Sequence, residues 1–226
     1  MKVSVVSFDL DKTLIKTVSP AEIIRSFLVK RGIYVETEEI LKVLRETSIP
    51  KEEAKNPYSY YISINQRLLS EFGLKDRRYA EELLNEWFSP EYYTLFPETV
   101  SVLETLKKRK YYLAIISNNL YWEIMRVLQH TGIGKFFNAI FSPDKVRAFK
   151  PNPKIFLEVA RFFNVDIAQL LHIGNDLRED YFGALNAGAR AVLVVRNVDT
   201  EYIKRIKKNN IVFVDNLMKI MVLLDG

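Results

Sequence analysis

A chain of 226 residues, 48% of them hydrophobic, has room for one large domain or two small ones with a sizeable core. No apolar run approaches the ~18 residues of a membrane span, and the N-terminal apolar run is too short for a signal peptide, so a cytoplasmic protein is expected. With no Cys and two His, disulfides, thiolate metal sites and cysteine nucleophiles are excluded, and the net charge of +5 lies in basic runs at 107–110 and 204–208 without interleaved aromatics, so no nucleic-acid partner is expected.

The first predicted element is a strand over 3–8, a β-branched run that leads into Asp9, Asp11 and Thr13. Residues 16–93 carry helical patterns instead. Ser19-Pro20-Ala21-Glu22 reads as a capping box opening a helix with Ile23, Ile24, Phe27 and Leu28 on one face. A second helix is expected from Thr37 to about Thr47. A third carries Tyr58, Tyr61, Ile62, Leu69 and Phe72 and ends at Gly73, and a fourth runs from Asp76 through Trp87 and Phe88. These helices form a bundle inserted after the first strand, placed to act as a lid.

From 97 onward, helices and strands alternate. Helices are predicted over 97–109, with Pro97 in the first turn, and over 119–130, 152–163 and 179–187. Strands are predicted over 112–117, 139–142, 170–173, 191–195 and 211–214, most of them continuous apolar runs of the kind covered on both faces. The fold class is therefore α/β: a doubly wound, parallel, Rossmann-like core from 1–15 and 94–226, with an inserted α-helical bundle at 16–93.

Parallel strands deliver polar residues to one sheet edge, where such folds bind ligands. Asp9 and Asp11 follow the first strand, and carboxylates two residues apart point the same way if the strand direction persists. Ser117 and Asn118 end the second strand and could cradle an anion, although Ser-Asn-Asn is equally an ordinary helix N-cap. Lys150 sits in a loop stiffened by Pro151 and Pro153. Gly174 permits close backbone approach before Asn175, Asp176, Glu179 and Asp180, oxygen donors that suit Mg²⁺ or simply acidify a helix N-terminus. His172 lies in an apolar strand and reads as a satisfied core histidine.

With "DLDKTL" at 9–14, "ISN" at 116–118, Lys150 in "KPNP" and "GNDLRED" at 174–180, the chain resembles the haloacid dehalogenase superfamily of hydrolases, and the inserted bundle resembles its C1 cap. The resemblance implies a Mg²⁺-dependent phosphatase acting on a small phosphorylated metabolite, as a monomer or homodimer. Asp9 would be the nucleophile and Asp11 the general acid and base. Lys150 would be catalytic by neutralising charge, and it would bind phosphate with Thr13, Ser117 and Asn118. Mg²⁺ would be held by Asp9, the Asp11 carbonyl and a side chain from Asn175, Asp176 or Asp180. The family pattern places Asp where this chain has Asn175; register favours Asn175 as the ligand and charge favours Asp176. Phosphomutase, 2-haloacid dehalogenase and a non-catalytic phospho-binding regulator are the alternatives. Asp11 disfavours the dehalogenase, which has no use for that acid.

Overall fold

The computed structural model describes residues 2–47, 57–87, 89–196 and 200–225, so Phe88 lies outside the described residues. In chain order the elements are β1 (Val5–Phe8), β2 (Ile15–Thr17), α1 (Pro20–Val29), α2 (Thr37–Thr47), α3 (Pro57–Glu71), α4 (Arg77–Glu86), β3 (Tyr93–Leu95), α5 (Thr99–Lys108), β4 (Tyr112–Ile116) and α6 (Tyr121–Thr131). They continue with β5 (Ala139–Phe141), α7 (Pro143–Val146), α8 (Pro153–Phe163), β6 (Leu170–Gly174), a π-helical turn (Leu177–Phe182), α9 (Gly183–Asn186), β7 (Arg190–Val194), α10 (Thr200–Lys208), β8 (Phe213–Val214) and α11 (Ile220–Asp225). The chain divides into two compact units, Met1–Lys16 with Thr94–Gly226, and Thr17–Tyr93.

In the first unit, six strands form a parallel sheet in the order β5-β4-β1-β6-β7-β8. β1 is central because all four of its residues are buried and apolar or small enough to be covered on both faces. It pairs in register with both neighbours, Phe8 standing opposite Ile115 of β4 and Ile173 of β6. That register decides where the polar residues go. The chain leaves β1, β4 and β6 at nearly the same level, Asp9 standing level with Ile116 and Gly174 and Ser117 one residue beyond. The ladder extends one step further, since the Asp9 N–H donates to the Ile173 carbonyl at 2.9 Å. On one face, α8 and the chain around α9 and α10 pack Ile155, Phe156, Val159, Ala184 and Ile206 against Val5, Ala114, Ile116 and Leu193.

The second unit has its own core. Ser19 caps α1 with a complete capping box: its hydroxyl accepts from the Glu22 N–H, and the Glu22 carboxylate accepts from the Ser19 N–H. The buried face of α1 (Ala21, Ile23, Ile24, Phe27, Leu28) packs against Ile40 and Val43 of α2, Leu68 and Leu69 of α3, and Leu83 of α4. Asn65 is buried without penalty, because its amide donates to the Ala80 carbonyl and accepts from the Trp87 indole.

The structure departs from the expected elements in several places, among them two short helices, α7 and α11, that were not expected. β2 and β3, each three residues long and paired with one another, have too few buried positions to show a periodic pattern. Pro97 stands ahead of the Glu98 N-cap rather than in the first turn of α5. The helix expected over 179–187 begins earlier, as a π turn, with the Tyr181 N–H reaching the Asp176 carbonyl five residues back. α10 is strongly polar, with Ile206 its buried residue, so apolar spacing gave little sign of it.

Ile115, fully buried at the centre of β4, tests the core. Ile115→Ala is expected to destabilise the protein by about 2–5 kcal/mol in chemical denaturation, as removal of a core side chain does. A loss under about 1 kcal/mol would contradict this account of the sheet's packing.

Candidate active site

At the carboxyl edge of the sheet, three charged side chains meet out of water. The Lys150 ammonium lies 2.7 Å from Oδ1 of Asp9 and 2.6 Å from Oδ1 of Asp180. All three residues are buried, with exposures of 3%, 7% and 2% for Lys150, Asp9 and Asp180. A lone buried ammonium or carboxylate would shed its charge; here each supports the other.

Each member is positioned by its neighbours in the chain. Lys150 is held through its backbone: Asn118, at the tip of β4, accepts from the Lys150 N–H at 2.7 Å and donates to the Lys150 carbonyl at 3.0 Å. The same Asn118 amide donates to Glu179 at 2.9 Å. Asn118 therefore ties the lysine loop to the π turn with its side chain, and its amide is not left over for a ligand. Asp180 is aimed back at the sheet by that turn. Its Oδ2 accepts from the Asp176 N–H at 2.9 Å and its Oδ1 accepts from Lys150. Gly174 makes this possible, since a Cβ there would fall 2.2 Å from the Asp180 carboxyl carbon. Gly183 serves the same end, for a Cβ there would stand 3.0 Å from the backbone of Pro151.

The loop after β1 turns sharply. Lys12 takes a left-handed conformation (φ 58°), and the N–H groups of Leu14 and Ile15 both bond the Leu10 carbonyl. Asp11 is thus placed by this turn rather than by strand alternation, and the Asn119 amide donates to its carboxylate at 2.5 Å. Thr13, fully buried, brings its hydroxyl within 3.4 Å of both Asp9 Oδ2 and Asn175 Oδ1. The hydroxyl of Ser117 accepts from the Asn119 N–H at 3.1 Å.

Asn175 and Asp176 have different occupations. Asn175 turns its Oδ1 toward the Thr13 hydroxyl, which also approaches Asp9. Asp176 is exposed, and its Oδ1 caps the π turn by accepting from the N–H groups of Arg178 and Glu179 at 2.8 and 2.7 Å.

Burial dominates the electrostatics. It pushes the Asp9 carboxyl up to about 7 against the pull of Lys150, with Asp180 and Asp11 adding to the rise. For Asp180 burial also pushes upward, but Lys150 and His172 win and hold it well below the carboxylate range. Burial works against the charge on Lys150 too, yet Asp180 and Asp9 raise it, so it stays an ammonium at any physiological pH. Among the described residues no three His, Cys, Asp or Glu side chains gather as a metal site. The available donor set is mixed: Asp9 Oδ2, which Lys150 does not engage, and the Asn175 amide oxygen, both within reach of one Thr13 hydroxyl. Hard oxygen donors with few carboxylates fit Mg²⁺, which retains several waters.

Several working residues gave no clear signal in the sequence. Asn119 belongs to a recognised strand tip, but nothing in its type marks it as the partner of Asp11. Arg196 and Glu98 come from distant segments. The Arg196 guanidinium lies 3.5 Å from the centre of the Phe96 ring, pairs with Glu98 at 2.8 Å and donates to the Thr13 carbonyl at 3.1 Å. It braces the loop after β1 at Thr13.

Residues 6–194 match the family model for haloacid dehalogenase-like hydrolases. The chain is 30% identical over 212 residues to a glyceraldehyde 3-phosphate phosphatase of Methanothermobacter thermautotrophicus, covering 91% of this chain and 92% of that protein. Among solved structures, an HAD phosphatase from Thermococcus onnurineus is 25% identical with a TM-score of 0.69, covering 100% of this chain and 99% of its own. A putative β-phosphoglucomutase from Thermotoga maritima shares the fold with a TM-score of 0.77 at 21% identity, covering 100% and 99%.

The Glu98–Arg196 pair carries a pH signature. Burial would raise the Glu98 carboxyl, but backbone N–H bonds and Arg196 outweigh it and lower its pKa below the usual 4.5. A lowered folded-state pKa contributes stability above the unfolded value and loses it as pH falls. Glu98→Gln is expected to destabilise the protein at pH 7 by about 1–3 kcal/mol, and the gap should close below about pH 4. Thermal melts across that range check it; a gap that persists at low pH would refute the pair's role.

Proposed function

The chain belongs to the haloacid dehalogenase-like hydrolases, and on that premise we propose that it is a Mg²⁺-dependent phosphatase of small phosphorylated metabolites. The observation that carries the proposal is the buried Lys150 shared by Asp9 and Asp180, which leaves one Asp9 oxygen uncommitted to lysine.

In this reading the Asp9 carboxylate attacks phosphorus in line with the leaving oxygen, forming an acyl phosphate on Asp9. Asp11, steadied by Asn119, gives its proton to the departing alkoxide. The alcohol leaves, Asp11 takes a proton from water, and that water attacks phosphorus to release inorganic phosphate and restore Asp9. Lys150 favours the ionised form of Asp9 against the effect of burial and balances charge on the phosphoryl oxygens. Thr13 and Ser117, with the backbone N–H groups that follow β4, are the remaining phosphoryl contacts. Mg²⁺, held by Asp9, the Asp11 carbonyl and Asn175, would lessen the repulsion between a carboxylate and a phosphate dianion. Asp176 and Asp180 are left out of this ligand set because their carboxylates already serve the π turn, Lys150 and the loop backbone.

The names of the relatives favour a phosphorylated three-carbon compound or a similarly small ester. Substrate selection is assigned to the helical unit of residues 17–93, which the chain inserts directly after its catalytic loop. Asp11 and its Asn119 partner support phosphoryl transfer over dehalogenation, which needs no such acid.

Hydrolysis of an aryl phosphate and of glyceraldehyde 3-phosphate, with Mg²⁺ or with EDTA, tests this. Turnover should need the metal, and Asp9→Asn should lower kcat by at least about 10⁴-fold, as loss of a nucleophile does. EDTA-resistant turnover that survives Asp9→Asn would overturn the assignment. Gly174→Ala, which displaces the Asp180 carboxylate, should lower activity about 100-fold in a protein that remains folded by circular dichroism. Wild-type activity in that variant would show that the Asp180 placement is dispensable.

A further inference from the structure

His172 lies in the middle of β6, fully buried, where the register sets it beside Ser7 of β1. A buried imidazole needs a partner for each ring nitrogen, and this one finds them in opposite directions, one of them a carboxylate of the site. Its Nδ1 is 2.9 Å from the Ser7 hydroxyl, and its Nε2 is 3.2 Å from Oδ1 of Asp180, the oxygen that also holds Lys150. The ring edge packs against Phe156, with centroids 5.1 Å apart, which leaves little freedom to rotate.

The proton positions follow by elimination. An ionised carboxylate only accepts, so Nε2 carries the hydrogen. Burial keeps the imidazole neutral, so Nδ1 is bare and accepts the Ser7 O–H.

We propose that His172, locked by Ser7 as the Nε2–H tautomer, is a positioning residue: it fixes the rotamer of Asp180, which fixes the ammonium of Lys150 against the nucleophile Asp9. The chain of contacts runs Ser7, His172, Asp180, Lys150, Asp9, and each link is a hydrogen bond or ion pair between buried side chains. Asp180 reaches over Gly174 from a π turn, and His172 is the oriented donor that meets its carboxylate from β6. The proposal deepens the phosphatase reading and rests on it for its kinetic consequence.

The chain has two histidines, so a sample labelled with ¹⁵N-histidine gives two ring signals, and a His130→Gln control assigns them. His172 should show the neutral Nε2–H pattern at pH 7. A neutral Nδ1–H pattern, or a doubly protonated ring, would overturn the proposal whether or not the protein turns over any phosphate ester. Kinetics then separates positioning from packing. His172→Leu keeps most of the volume but has no donor, whereas His172→Gln keeps an N–H near the Nε2 position; both lose the Ser7 partner. His172→Leu should lower kcat about 10–100-fold with KM essentially unchanged, the range for removal of a residue that orients a catalytic group. His172→Gln should recover about tenfold of that loss, at comparable thermal stability. Equal kcat in the two variants would refute the positioning role. A wild-type enzyme inactive on every ester would count against the phosphatase reading alone, since the tautomer is read without turnover.

Discussion

Lys150 sits buried between two carboxylates, and the rest of the core unit is arranged to keep it there. Two buried anions and one cation leave a surplus of negative charge. Burial raises the Asp9 carboxyl to about 7, with the neighbouring carboxylates adding to the rise, while Asp180 is held ionised by Lys150. Such a cluster adds little to folding, because desolvation of the ions offsets most of their attraction. In the proposed reaction its value lies in chemistry: a carboxylate held beside a fixed cation, with one oxygen turned away from that cation, can meet a phosphoryl group whose charge the lysine helps to balance.

The fold supplies the placement. Parallel strands in register bring the ends of β1, β4 and β6 to one level, and each loop beyond them is then cross-tied to another. Asn118 joins the β4 tip to the lysine loop and the π turn; Asn119 joins it to the loop after β1; Arg196 joins the β7 end to the Thr13 carbonyl. Side-chain amides and a guanidinium do this work because they can donate, or donate and accept, across gaps that backbone ladders do not span. The glycines at 174 and 183 matter for the space they leave, not for unusual torsions.

Much of this was legible in the sequence, for identifiable reasons. Strands buried on both faces appear as apolar runs, and in a parallel sheet the residues after each run must share an edge. That logic gathered Asp9, Ser117, Lys150 and the acidic stretch after Gly174. The choice between Asn175 and Asp176 was not legible, because an aspartate two residues after a glycine serves equally as ligand or as cap; the structure uses Asp176 as the cap. Asn118 reads as an anion contact by its position, whereas its amide is engaged by Lys150 and Glu179. His172 reads as core, and it is buried, but its partner is a site carboxylate that β6 and the π turn bring together. Glu98 and Arg196 are far apart in sequence, and no spacing rule joins them.

The central claim is that Asp9 itself becomes phosphorylated. Borohydride added to the enzyme during turnover reduces an acyl phosphate of aspartate to homoserine, which peptide mass spectrometry locates. The account predicts homoserine at position 9, dependent on substrate and absent from unreacted enzyme. Turnover that leaves position 9 unmodified while another residue is trapped would contradict it.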